Sequence, residues 1–149
     1  MNQQQTFYLA SALENAQEVQ HLRLLLEEAG YRCSYDWTQH GRVQHLGWDV
    51  VQNIALQELG GVQGADFVVV LMPGGRGTHM EFGAALTSPR CKRVFLVAEH
   101  ELLYDQRVTC FYHHPLVTWI NREGTSHEWR WALLAEIADF FQPVEEEIE

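Results

Sequence analysis

Residues 71–86 read LMPGGRGTHMEFGAAL, an apolar run that breaks into a glycine-rich loop and resumes as a helix carrying one carboxylate, Glu81. Gly74, Gly75 and Gly77 leave the backbone bare and are expected to take positive φ and expose their N–H groups. Those groups, together with the free ones at the start of the helix, suit an anion or a polar sugar. Glu81 is expected on the first turn, leaning back toward the loop, where a helix N-terminus favours the ionised form. Two roles fit it. With Thr78 as N-cap, T-x-x-E is a capping box; with a substrate in the loop, the same carboxylate is placed to act on it. A plain cap does not need three bare residues in front of it, and the two roles are compatible.

The loop is not a Walker loop, because the Gly-Lys-Ser/Thr ending is absent, and G-x-G-x-x-G does not occur either. Ser11 closes the apolar run TFYLAS and can bind a sugar hydroxyl or phosphate. Asp36 and Trp37 close YRCSYDW; the indole face can stack a nucleobase, although packing is the expected role. His113 and His114 are adjacent, so they cannot share one face of a strand, and no metal site is expected. No cofactor motif is present. Cys33, Cys91 and Cys110 lack motif spacing and are expected to stay reduced.

These residues need elements to position them. Apolar, β-branched runs predict strands over 6–11, 31–37, 66–72, 92–98 and 116–120. Helical spacing predicts helices from 13 to 30, 48 to 65, 78 to 88 and 126 to 141. Leu13, Val19, Leu22, Leu25 and Leu26 form the stripe of the first helix, and Val51, Ile54, Ala55 and Leu59 that of the second. Residues 99–114 read as irregular. Trp129 and Trp131 are two apart, so one of them must leave the main stripe of the last helix. Alternating strands and helices imply an α/β, flavodoxin-like or Rossmann-like, three-layer α/β/α fold with a five-stranded parallel sheet. Ligands bind such sheets beyond the carboxyl ends of the strands, where Ser11, Asp36 and the glycine loop all fall.

At 149 residues the chain suits one domain, with the acidic end PVEEEIE (143–149) expected to be solvated. A formal charge of −10 argues against a nucleic-acid duplex as partner. No apolar run is long enough for a membrane span, and the start lacks the pattern of a signal peptide, so a cytoplasmic location is expected.

YLAS at the end of the first strand, ADFVVVLMPGGRGTHMEFGAAL and the KRVFLV strand resemble the nucleoside 2-deoxyribosyltransferase family, including its 2′-deoxynucleoside 5′-phosphate N-hydrolase branch. The family's G-x-x-x-E-L-G stands here as Gly77-Thr78-His79-Met80-Glu81-Phe82-Gly83. The resemblance implies that Glu81 attacks C1′ of a pentose while the departing base receives a proton. It places the acid on the helix before the central strand: Glu58 matches, and Asp49 is the other candidate. It further implies a small nucleoside or nucleotide substrate, binding by Gly75, Arg76, Gly77, Thr78 and Met80, and a homodimer or larger homo-oligomer. The branch carries a basic residue just after the serine of the first strand, where this chain has Glu14; Arg76 is the candidate replacement. PGGRGTHME also resembles the PGGxGTxxE signature of the cytokinin-activating phosphoribohydrolases, which likewise cleave N-glycosidic bonds. The alternatives are a non-catalytic nucleotide sensor on the same fold, or an interaction protein using its acidic surface and last helix.

Overall fold

The computed structural model describes residues 3–105 and 109–142; the acidic end 143–149 lies outside them. The strands are β1 (Thr6–Ser11), β2 (Arg32–Cys33), β3 (Phe67–Leu71), β4 (Arg93–Ala98) and β5 (Val117–Asn121), and the helices are α1 (Ala16–Glu28), α2 (Trp48–Gln63), α3 (Arg76–Thr87), α4 (His100–Tyr104) and α5 (Ser126–Phe141). All strand pairs are parallel, in the order β2-β1-β3-β4-β5. This is the expected three-layer α/β arrangement. Right-handed crossovers put α1 and α5 on one face and α2 and α3 on the other. The ion pair from Arg130 on α5 to Glu18 on α1, at 2.7 Å, ties the first face together.

The three central strands are buried on both sides, which is why they read as unbroken apolar runs rather than alternating ones. Asp66, at the entrance of β3, accepts from the Thr6 backbone N–H at 2.7 Å and pairs with Arg90 at 3.2 Å. It satisfies backbone at the amino end of the sheet, far from the loop that follows β3.

Three expectations about the elements need correction. The strand expected over 31–37 pairs only at Arg32–Cys33, because Ser34 turns its hydroxyl onto the carbonyls of Phe7 and Gly61 and the chain leaves the sheet. On α2 the buried residues are Ile54, Gly61 and Val62, while Ala55 and Leu59 are exposed. Gly61 explains the rotation: a Cβ there would meet the Cβ of Tyr35 at 2.7 Å and the ring of Tyr8 at 2.9 Å. Only glycine lets the helix approach so closely, and that contact turns Glu58 inward instead of Leu59. Residues 99–114 are not wholly irregular, since they include α4 and a 3-10 turn over Cys110–His113. On α5, Trp129 is buried and Trp131 exposed, so one tryptophan does leave the stripe.

Candidate active site

The glycine loop begins the helix earlier than its sequence implies. Gly75 is the N-cap of α3, and Thr78 occupies the third helical position, its hydroxyl accepting from the Gly75 N–H at 3.2 Å. Glu81 therefore lies in the second turn, not three residues after its cap, and the expected T-x-x-E box does not form. None of the three loop glycines has positive φ either. Their bareness serves space. A Cβ on Gly74 would sit 2.5 Å from the Thr78 side chain, whereas Gly75 and Gly77 face open space.

The Glu81 carboxylate is 8% exposed and accepts a hydrogen bond from the hydroxyl of Tyr8 on β1. Burial pushes its pKa up to about 8; the Tyr8 hydrogen bond pulls the other way, and the charge of Glu58 adds to the rise. Burial thus works against the ionised form expected for a helix start. The helix dipole acts over the first turn, and desolvation outweighs it one turn further in. Burial, and then Glu81, also push the Tyr8 hydroxyl far upward, which keeps it a donor.

A cavity of about 280 Å³ opens at the carboxyl ends of β1 and β3, and its wall includes Ser11, Trp37, Glu58, Gly75, Gly77, Thr78 and Glu81. Seven of the residues singled out in the sequence meet there. Glu58 comes from α2 and Glu81 from α3, so two carboxylates share one hollow. Burial raises the pKa of Glu58, opposed by His40, whose Nε2 lies 3.6 Å from Glu58 Oε1. Ser11 donates to the Leu71 carbonyl at 2.7 Å and accepts from Asn15 at 2.9 Å. Asn15 also donates to the Pro73 carbonyl at 2.9 Å, fastening the end of β1 to the glycine loop. Trp37 is buried and donates its indole N–H to the Leu9 carbonyl at 2.6 Å, so it packs as well as lines the wall.

The structure does not bring four other candidates to the cavity. Asp49 is exposed on the first turn of α2; nine residues from Glu58 is two and a half helical turns, which puts the two on opposite sides. Asp36 caps the 3-10 turn at Trp37–Gln39, accepting from Thr38 at 3.0 Å, and faces Arg23 at 3.5 Å. Met80 is 71% exposed, and Arg76 is exposed at the first helical position. The basic residue on the wall is instead Arg42, opposite Glu14 at 3.8 Å.

Tyr8 and His40 escaped the sequence reading. A buried tyrosine in an all-apolar strand is a signal, because its hydroxyl needs a partner; His40 lies in a polar loop and gives none. A larger groove of about 760 Å³ runs between α1 and α5. It lies between helices, away from the strand ends and from both site carboxylates, and its size alone does not make it the reactive site. Among the described residues no cluster of His, Cys, Asp and Glu is arranged to hold a metal ion, and none has a helix long and apolar enough to cross a membrane.

No protein-family model matches the chain, and no curated protein is found similar to it in sequence. Its fold is similar to the solved structure of the Clostridium botulinum CMP N-glycosidase BcmB, with a TM-score of 0.54 and 19% identity over 87% of this chain and 98% of that one. At that identity the likeness is one of fold. It defines the chain as an α/β protein with a Rossmann-like parallel sheet.

Proposed function

We propose that this protein cleaves or transfers the N-glycosidic bond of a nucleoside or nucleoside 5′-monophosphate. One observation carries the reading: a buried carboxylate, Glu81, held by Tyr8, shares a strand-end cavity with a second carboxylate, Glu58. The similar fold of a CMP N-glycosidase supports the same reaction class. In the ionised form Glu81 attacks C1′ as the bond to the base breaks, giving a glycosyl-enzyme ester that water or a second base resolves. The developing positive charge on the sugar is stabilised by the same oxygen. Glu58 belongs to the side that assists the leaving base, while Ser11, Gly75, Gly77 and Thr78 line the space for the sugar. Arg42 is the cation placed to meet a 5′-phosphate.

The test is release of free base from a panel of nucleosides and their 5′-monophosphates, with and without a second base. Glu81→Gln should lower turnover by on the order of 10³-fold or more. Full turnover in a folded Glu81→Gln variant would reject the role.

A second reading, a nucleotide sensor, is favoured by the burial of Glu81, which raises its pKa and so disfavours the ion that attacks carbon. Binding by calorimetry without base release at any pH up to 9 would select it.

A homodimer belongs to the same proposal. Trp48, Gln52, Ala55, Leu56 and Leu59 form an uncharged stripe on α2, with Trp48 89% and Leu56 66% exposed, and Met80 is exposed on neighbouring α3. Gly83, inside α3, has open space where its Cβ would be, so nothing among the described residues explains a residue that weakens a helix; a helix of a second copy packed closely there does. An uncharged stripe is also the kind of surface on which two chains of charge −10 can meet without repulsion.

A further inference from the structure

Departure of a nucleobase needs a proton at the moment the C1′–N bond breaks, and the cavity holds a group whose hydrogen-bonding capacity is unspent. His40 lines the wall beside Glu58, its side chain 18% exposed. Neither ring nitrogen has a hydrogen-bond partner among the described residues, although both atoms are shielded from solvent. An imidazole always carries at least one N–H and carries two when protonated, and leaving such a donor buried and unmet is unfavourable. At 3.6 Å the Glu58 oxygen is too far for a hydrogen bond but within ion-pairing distance of the ring. The ring of Tyr35 lies beside the imidazole, tilted by 31° at 6.1 Å between centroids. Gly41 follows at φ +60°, a conformation that suits glycine, and the chain turns there so that His40 and Arg42 both reach the wall.

We propose that His40 is the catalytic acid of this site: its N–H contacts the departing base and delivers the proton, with Glu58 as the positioning residue that holds the charge of the ring. This rests on the N-glycosidic reading above. In the first half-reaction an ionised Glu81 oxygen forms a bond to C1′, and the C1′–N electron pair leaves with the base. The His40 proton passes to that base, leaving a neutral imidazole beside the Glu58 carboxylate. In the second half-reaction water attacks C1′, its proton returns to His40, and the ester electron pair returns to Glu81. The charged and titratable groups facing this exchange are Glu58 on α2, Glu81 on α3, Tyr8 on β1, Tyr35 beside the ring, and Glu14 and Arg42 on the wall.

The experiment compares two leaving groups in wild type, His40→Gln, Glu58→Gln and Glu81→Gln. One is a natural nucleoside or nucleoside 5′-monophosphate that wild type cleaves; the other is a p-nitrophenyl pentofuranoside, with or without the matching 5-phosphate, whose phenolate leaves without a proton. His40→Gln should lower kcat on the nucleoside by about 10²–10³-fold and on the aryl glycoside by less than about 5-fold. Glu58→Gln should show the same split, smaller in size, and Glu81→Gln should fail on both substrates. Equal losses on the two substrates in His40→Gln, or no loss on the nucleoside, would overturn the assignment while the Glu81 result left the reaction class standing. A wild type that releases no base from any nucleoside or nucleoside 5′-monophosphate, and no phenolate from either aryl glycoside, refutes the reaction class and the assignment together.

Discussion

The Tyr8 hydroxyl on β1 donates to the Glu81 carboxylate on α3, joining residues 73 positions apart at the carboxyl end of the sheet. The bond lowers the Glu81 pKa, against burial and the charge of Glu58, which raise it to about 8. With an aryl pentofuranoside, whose phenolate leaves without a proton, activity that needs ionised Glu81 should therefore rise with pH and level off above about 8 in kcat/KM, which reports the free enzyme. Tyr8→Phe should move that rise to higher pH. Glu58→Gln should move the rise to lower pH. Profiles displaced in the same direction by both substitutions would contradict the arrangement.

The same burial bears on stability. The folded pKa of Glu81 lies above the ordinary 4.5, so the folded chain holds a proton that the unfolded chain releases between about pH 4.5 and 8. The contribution of Glu81 is thus most favourable below that window and declines as pH rises through it, by up to about 1.4 kcal/mol per pH unit. Glu81→Gln should abolish this decline and be more stable than wild type by about 2–4 kcal/mol at pH 8.5, measured by urea denaturation. Equal stability across the window would mean that the carboxylate is not desolvated.

Gly74 and Gly77 separate packing from binding. Gly74→Ala drives a methyl group into Thr78 at 2.5 Å and should cost about 1–3 kcal/mol of stability. Gly77→Ala meets nothing in the fold, and Ala favours the helix, so it should preserve or slightly raise Tm. Because Gly77 lines the cavity, the same substitution should raise KM. A KM unchanged by Gly77→Ala would move the sugar away from that wall.

The exposed α2 stripe predicts a dimer in light scattering, and Leu56→Glu should shift the mass to that of one chain without lowering Tm at dilute concentration. A monomeric wild type at tens of micromolar would remove the interface.

Much of the architecture was legible because buried parallel strands are chemically distinctive. FVVVL and RVFLVA are the continuous, β-branched runs that a sheet covered on both sides buries. The helix over 126–141 was legible from its spacing, and the structure starts it with a capping box between Thr125 and Glu128. Several of the failures come from contacts between distant segments. The rotation of α2 depends on Gly61 meeting Tyr8 and Tyr35, and no periodicity within 48–65 encodes that. The glycine loop showed where a site should be, and Glu58 and Glu81 do meet there. Asp36 and Asp49 carried the right chemistry, but a local cap holds one and the wrong side of a helix the other. His40 came from a loop whose sequence says little, since its place is set by the turn at Gly41 and by Glu58.

The central claim is that an oxygen of Glu81 bonds to the anomeric carbon of a pentose. Incubation with a 2-fluoro-2-deoxypentosyl substrate bearing a reactive leaving group, followed by digestion and mass spectrometry, addresses it directly. The account predicts one pentosyl adduct per chain, on the peptide containing Glu81 and absent from Glu81→Gln. Stoichiometric release of the leaving group with no adduct, or with the adduct on another residue, would contradict it.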